Sequence, residues 1–245
     1  MGGWSSVQEQ RAYLAPRIQR WYPNFVTGGE QYRRLLLQHA TSSTIVLDAG
    51  AGDGGYIGEL RGRVKKIIGV DVHESLLSRN SSVDEKIIAD LVKIPLPDNS
   101  IDLIVAEFVL EHLERPLAVF QEWRRLLKPG GVVIALTPNR NNPIMFLSRL
   151  TPTWFHQLLK RRLLKKPEHV HPTYYRANTV AQLQQLCSVS GLKLKTFVRS
   201  GNPEYLALTW VFVVPAILLE RLISLPGLQW LQMYLVVTVE KHIST

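Results

Sequence analysis

Five carboxylates stand at or just beyond the ends of successive apolar runs: Asp48, Asp53, Asp71, Asp90 and Glu107. The first two belong to "VLDAGAGDGGY", residues 46–56, where Gly50, Gly52, Gly54 and Gly55 follow the run "TIVLD". Glycines in that place let the backbone turn tightly and approach a ligand closely. Gly50, Gly52 and Gly55 spell G-x-G-x-x-G, the dinucleotide pattern, while Asp48 with Gly50, Gly52 and Gly54 spells D-x-G-x-G-x-G. Asp71, with Val72 beside it, ends the second run, where either pattern expects an acid for ribose hydroxyls. The glycines alone do not choose between the two.

Charge favours one of them. A pyrophosphate at a helix N-terminus would be repelled by Asp48 and Asp53, at roughly 1–4 kcal/mol for a contact pair in intermediate dielectric. A ligand carrying an ammonium and a sulfonium would be attracted, and S-adenosylmethionine carries both. Asp90 and Leu91, in "ADL", offer a carboxylate to an adenine amino group and a backbone N–H to a ring nitrogen. Glu107 ends a further run at the same edge. Each acid has a plainer reading: Asp48 as a helix cap, Asp90 as a turn residue before "PLPDNS", Glu107 as polarity at a strand end.

These side chains need a scaffold that brings strand ends together. The runs 44–48, 64–71, 85–90, 101–107 and 131–137 read as strands, and apolar character without strict alternation fits strands covered on both faces. Between the last two, Leu117, Phe120, Leu126 and Leu127 form a helical stripe, which Pro129-Gly130-Gly131 is expected to end. Residues 6–40 read as two helices broken near "YPNFVTGG", residues 178–191 as a helix, 192–200 as a strand, and "YLVVTVEKH" as the last strand. Strands alternating with helices imply an α/β fold with a mostly parallel sheet, whose ligand edge lies at the strand C-termini.

The motifs "VLDAGAGDGGY", "IIGVDVHESLL" and "ADLVKIPLPDNSIDLIVAEFVLEHLERPLAVFQEWRRLLKPGGVVIALTPN" resemble class I S-adenosylmethionine-dependent methyltransferases. The nearest subgroup includes ubiquinone and menaquinone biosynthesis methyltransferases and sugar- or lipid-modifying relatives. The resemblance is tight over residues 44–139 and weaker over 168–200. It implies a Rossmann-like seven-stranded sheet of order 3-2-1-4-5-7-6 with helices on both faces and the last strand antiparallel. It also implies cofactor contacts at Asp48, Gly50, Gly52, Asp53, Gly54, Asp71, Val72, Asp90, Leu91 and Glu107. Asp53-Gly54-Gly55 departs from the family, which usually has one glycine followed by a small or polar residue.

No catalytic base is evident. His112, just past the fourth strand, and His171 are weak candidates, and His112 could equally cap a turn. His169 and His171 lack further ligands at useful spacing and Cys187 is the lone cysteine, so no zinc site or metal is expected. No G-x-S-x-G nucleophile elbow occurs. Methyl transfer asks mainly for alignment of acceptor, methyl and sulfur, so a missing base does not exclude it.

The chain has 245 residues and a formal net charge of +9. Residues 1–139 carry 16 Lys+Arg and 16 Asp+Glu; residues 140–200 carry 11 against Glu168 alone. We read a single methyltransferase domain over 1–245: helices in 1–40, a cofactor-binding core in 41–139, and two insertions, basic and aromatic in 140–177, hydrophobic in 201–232. Residues 144–166 combine Trp154 and Phe155 with His156 and six Lys or Arg, a composition suited to a membrane interface. Residues 205–239 have only Glu220 and Arg221 as charges and read as an apolar hairpin in one leaflet, with lid or dimer interface as alternatives. The stretch "MGGWSSVQEQ" has no basic region followed by an apolar run, so no signal peptide is expected there, and Gly2 with Ser6 fits a loose myristoylation pattern. The expectation is a cytoplasmic enzyme, peripheral on the membrane face, that methylates a small hydrophobic or lipid-linked acceptor such as a quinone precursor or glycolipid intermediate. A homo-oligomer is compatible with it. A non-catalytic S-adenosylmethionine-binding protein and a nucleic-acid methyltransferase are the alternatives. The fourth strand ends "AEFVLEH" rather than in N/D-P-P-Y/F, which makes nucleic acid unlikely as a partner.

Overall fold

The computed structural model describes residues 7–143, 172–207 and 210–242. The chain forms two compact units, one of residues 1–28, 139–171 and 199–234, the other of residues 29–138, 172–198 and 235–245.

The second unit is built on seven strands: β1 (Ile45–Ala49), β2 (Lys66–Asp71), β3 (Glu85–Ile88), β4 (Ile101–Glu107), β5 (Leu127–Pro138), β6 (Leu192–Ser200) and β7 (Tyr234–Lys241). Their order is β3-β2-β1-β4-β5-β7-β6, as the resemblance implies. β1 pairs parallel with β2 and β4, β2 with β3, and β4 with β5. Lys241 Nζ at the end of β7 donates to the Leu127 carbonyl at the start of β5, 2.7 Å away, so β7 runs against β5. The order reverses between β1 and β4. Loops leaving those two strands diverge there and open the crevice in which open α/β sheets bind ligands.

Helices α2 (Gly28–His39), α3 (Glu74–Leu77), α4 (Pro116–Leu126) and α5 (Val180–Ser190) accompany this sheet. Leu47, Ile104, Phe120, Trp123, Leu126, Leu183 and Val237 bury one continuous core. The ends of α5 are chemically defined: the Thr179 hydroxyl accepts from Gln182 N–H, and Gly191 takes φ +73°.

Two expectations about α4 need correction. Leu117 is exposed, and the buried stripe is instead Val119, Phe120, Trp123 and Leu126. Pro129-Gly130-Gly131 does not end the helix, which stops at Leu126. These residues lie inside β5, where Ile101 pairs with Leu127 but Leu103 with Val132, and Gly130 at φ +77° carries the bulge.

In the first unit α1 (Val7–Trp21), α6 (Pro203–Leu206) and α7 (Val213–Ile223) bury Leu14, Ile18, Ala207, Val213, Ala216 and Ile217. Among the described residues no helix is long and apolar enough to cross a membrane. The basic stretch 144–166 lies outside the described residues.

Candidate active site

β1 delivers Asp48 to the crevice as a buried side chain, and the next six residues turn back under it. Gly50, Gly52 and Gly54 take φ of +79°, +45° and +123°. The N–H groups of Gly50 and Ala51 donate to the Val70 carbonyl at 2.8 and 3.0 Å, pinning the loop to β2. A Cβ on Gly50 would stand 2.5 Å from Val109 Cγ2, and one on Gly55 would strike the Glu107 carboxylate. Around Gly52 no described residue lies within 4 Å of where a Cβ would be, so packing forces two of the glycines while the third faces space that the described residues leave open.

Three carboxylates converge on that loop. Asp71 accepts from Gly52 N–H at 2.9 Å and from His73 N–H at 2.8 Å. Glu107, from the end of β4, accepts from Tyr56 N–H at 3.0 Å. Asp48 is pushed up to about 8 by burial, then by the charges of Glu107 and Asp71. Burial also raises Glu107, against the bond from Tyr56. Three acids thus crowd a backbone turn, and ionising them all is unfavourable until a cationic ligand offsets the charge.

The segment after the glycine loop also bears on the ligand. Residues Tyr56–Leu60 form a short 3-10 turn capped by Gly55, not an α-helix. Asp48 therefore caps no helix, and no aligned macrodipole awaits a pyrophosphate at this point.

The remaining predicted residues are placed differently. Asp53 is 65% exposed, its carboxylate 3.9 Å from Arg79. Val72 is exposed and Leu91 buried. Asp90 accepts from Val92 N–H at 3.0 Å and faces Arg115 at 3.5 Å, so it closes the turn after β3 while standing at the sheet edge. His112 lies on the 3-10 turn Leu110–His112, with Nδ1 2.8 Å from the Pro172 carbonyl. A carbonyl only accepts, so Nδ1 carries the hydrogen and Nε2 the lone pair of the neutral ring. His171 lies outside the described residues, and among these no cluster of His, Cys, Asp or Glu could hold a metal ion. Cys187 is buried and pushed up to about 12, an inert core thiol.

Sequence reasoning missed two groups of residues. Tyr32, from α2, is fully buried, its phenol raised by burial and by Asp48 and Glu107, and its ring is 6.1 Å from that of Tyr56. The other group surrounds Glu111. Its carboxylate accepts from Thr137 Oγ1 at 3.1 Å, and Asn178 Nδ2 donates to Thr137 Oγ1 at 2.6 Å and to the Pro138 carbonyl at 3.1 Å. Burial raises Glu111 to about 7. Its carbonyl accepts from Tyr174 and Tyr175, the latter at φ +52°. The adjacent "EH" pair was the available signal for Glu111. Nothing in the local sequence ties it to Asn178.

Residues 47–135 match the family described as methyltransferase domain. A malonyl-[acyl-carrier protein] O-methyltransferase of Marinomonas sp. is 30% identical over 147 residues, covering 57% of this chain and 50% of that protein. The chain spans about half the length of the first curated relatives it matches. Among solved structures, the S-adenosylmethionine dependent methyltransferase from Mesorhizobium loti aligns with TM-score 0.55 at 17% identity, over 87% of this chain and 98% of that one. Geranyl diphosphate C-methyltransferase from Streptomyces coelicolor, in complex with geranyl diphosphate and S-adenosyl-L-homocysteine, aligns with TM-score 0.58 at 15% identity, over 96% of this chain and 84% of that one. At such identities these two likenesses speak for the fold alone.

Proposed function

We propose that this chain, whose residues 47–135 belong to the methyltransferase-domain family, transfers a methyl group from S-adenosylmethionine to a small hydrophobic or lipid-linked acceptor. The observation that carries the reading is Asp48, buried beside Glu107 and Asp71, at a loop whose central glycine faces open space. When bound, S-adenosylmethionine supplies an electrophilic methyl carbon on a sulfonium. Asp48 and Glu107 offset the positive charge of its ammonium and sulfonium. Asp71, already oriented by two backbone N–H groups, has lone pairs left for ribose hydroxyls. Gly52 admits the ligand against the backbone. Asp90 and Leu91 lie at the next strand end, suited to the adenine. Tyr32, buried and electrostatically coupled to Asp48, adds apolar bulk on the same side of the site.

His112 is the candidate base for an acceptor that carries an acidic hydrogen, with Nε2 taking the proton. The acceptor class draws on a curated relative's name, which points to a carrier-linked malonyl group. It also rests on exposed apolar side chains of the hydrophobic insertion, Val211, Phe212, Val214, Leu218 and Leu222. These favour peripheral contact with a membrane face through residues 205–232, assisted by the basic stretch 144–166. A second copy of the chain is the competing occupant of that surface.

Calorimetry with S-adenosylmethionine, S-adenosylhomocysteine and NAD tests the cofactor. Mass spectrometry of lipid and polar extracts incubated with a deuterated methyl donor tests the acceptor. Labelled lipid products are expected. A preference for NAD would overturn the reading, and binding without any labelled product would favour a non-catalytic binding protein.

A further inference from the structure

The first unit contains a cavity of about 410 Å³ between α1 and α7, lined among others by Tyr13, Arg17, Arg20, Trp21, Val214 and Ile217. That volume is in the range of small-molecule sites, ~300–1,000 Å³. Its walls combine two guanidiniums with aromatic and aliphatic surface, and among the described residues no carboxylate lines it. Arg17 is held in place. One terminal nitrogen donates to the Tyr13 carbonyl at 2.8 Å, and its Cζ lies 3.4 Å above the Tyr13 ring. A guanidinium fixed over an aromatic face keeps N–H groups available for an anion and loses little side-chain freedom on binding one.

Trp21 and Val214 line the cavity and are also about half exposed, so the cavity opens to solvent across an apolar rim. The rim continues along α7. Leu218 and Leu222 follow Val214 at intervals of four, placing all three on one helix face, and each is exposed. A free phosphate would have no use for such a rim, and a neutral hydrocarbon none for two arginines.

We propose that this cavity binds a single anionic amphiphile, its phosphate or carboxylate head on Arg17 and Arg20 and its hydrocarbon chain along Trp21, Val214 and Ile217. The inference is independent of the methyl-transfer reading, because every residue it uses belongs to the first unit.

The test is calorimetry of the full chain with n-decyl phosphate, n-decyl maltoside and inorganic phosphate, all below micellar concentration. Decyl phosphate is expected to bind at least ~10-fold more tightly than either other probe, since neither head nor chain alone fills the site. The double variant Arg17→Gln/Arg20→Gln should weaken decyl phosphate roughly ten- to thirty-fold, the effect of two cations near an anionic head. Val214→Asp should weaken it comparably by placing a like charge at the rim. Retained S-adenosylmethionine binding in both variants serves as the folding control and keeps this test separate from the cofactor reading. Flotation on phosphatidylcholine vesicles with and without phosphatidylglycerol separates a molecular site from surface docking. Salt-sensitive flotation without decyl phosphate binding would overturn the proposal, as would equal affinity for decyl phosphate and decyl maltoside. A dimer that Val214→Asp dissociates and decyl phosphate leaves intact would assign the rim to a second copy and also overturn it.

Discussion

The backbone N–H of Gly52 donates to the Asp71 carboxylate at 2.9 Å across 19 residues of chain. This one bond ties the turn after β1 to the end of β2, so the acid assigned to ribose also fixes the loop assigned to the rest of the cofactor. Asp71→Ala removes both roles and should weaken S-adenosylmethionine by ~2–4 kcal/mol, the range for hydrogen bonds to a charged acceptor. Asp71→Asn keeps an acceptor for Gly52 and should lose less. Calorimetry showing unchanged affinity in the alanine variant would remove Asp71 from the site.

Gly50 and Gly52 should respond differently to substitution. Gly50→Ala places a methyl group against Val109 at a left-handed backbone angle, so it should cost stability, about 1 kcal/mol for the backbone and ~1–3 for the overlap. Gly52→Val faces open space, so its folded state should suffer chiefly the backbone strain at φ +45°. Cofactor binding should nevertheless be abolished, because the side chain fills the ligand's room. Thermal melts and cofactor titrations on both variants separate the two effects.

Asp48 makes both cofactor affinity and stability depend on pH. Its folded value of about 8 lies above the ordinary 3.8, so the folded protein holds a proton that the unfolded chain has released. The resulting stabilisation is complete below the unfolded value and is lost as pH rises through about 8. Glu111 and Glu220, each raised to about 7, act in the same direction. A cationic ligand prefers ionised Asp48, so affinity should rise as pH approaches about 8, with proton release visible as buffer-dependent binding enthalpy. Asp48→Asn should flatten that rise and reduce the fall in melting temperature. A rise that persists unchanged in the variant would assign the proton elsewhere.

His112 should matter to turnover and not to cofactor binding. With Nδ1 fixed by Pro172, His112→Ala should lower kcat by ~10²–10⁴-fold for an acceptor that must lose a proton. Affinity for S-adenosylmethionine should hold. An unaltered kcat on the identified acceptor would leave His112 a turn residue.

Gly201 and Glu220 form a packing pair within the first unit. A Cβ on Gly201 would overlap the buried Glu220 carboxylate, so Gly201→Ala should destabilise by ~1–3 kcal/mol. Shortening the partner makes room. The double variant Gly201→Ala/Glu220→Ala should therefore cost less than the sum of its singles in denaturant titrations.

The sequence by itself determined the strands, their parallel character and the acids at their ends. Apolar runs bounded by Gly, Pro and Asp record local burial, and a strand end is a local event. Thus Asp48, Asp71, Asp90 and Glu107 could each be placed at one edge from their own neighbours. Glycine usage marked the tight turn after β1, and the signs of the nearby charges favoured a cationic ligand over a pyrophosphate, although Asp53 turns away from the loop. The same local reading misjudged Pro129-Gly130-Gly131, because a bulge and a helix stop use the same residue types and only pairing with β4 distinguishes them.

Tertiary structure decided which acids act together. Glu107 reaches Tyr56 across 51 residues because β1 and β4 are neighbours where the strand order reverses, whereas Asp53, inside the glycine loop, turns outward to Arg79. Tyr32 comes to Asp48 from a helix that precedes the sheet, and Asn178 comes to Thr137 across 41 residues. Periodicity reports which face of an element is buried. It carries no information about which distant side chain closes over that face, since that depends on the long-range packing of whole elements.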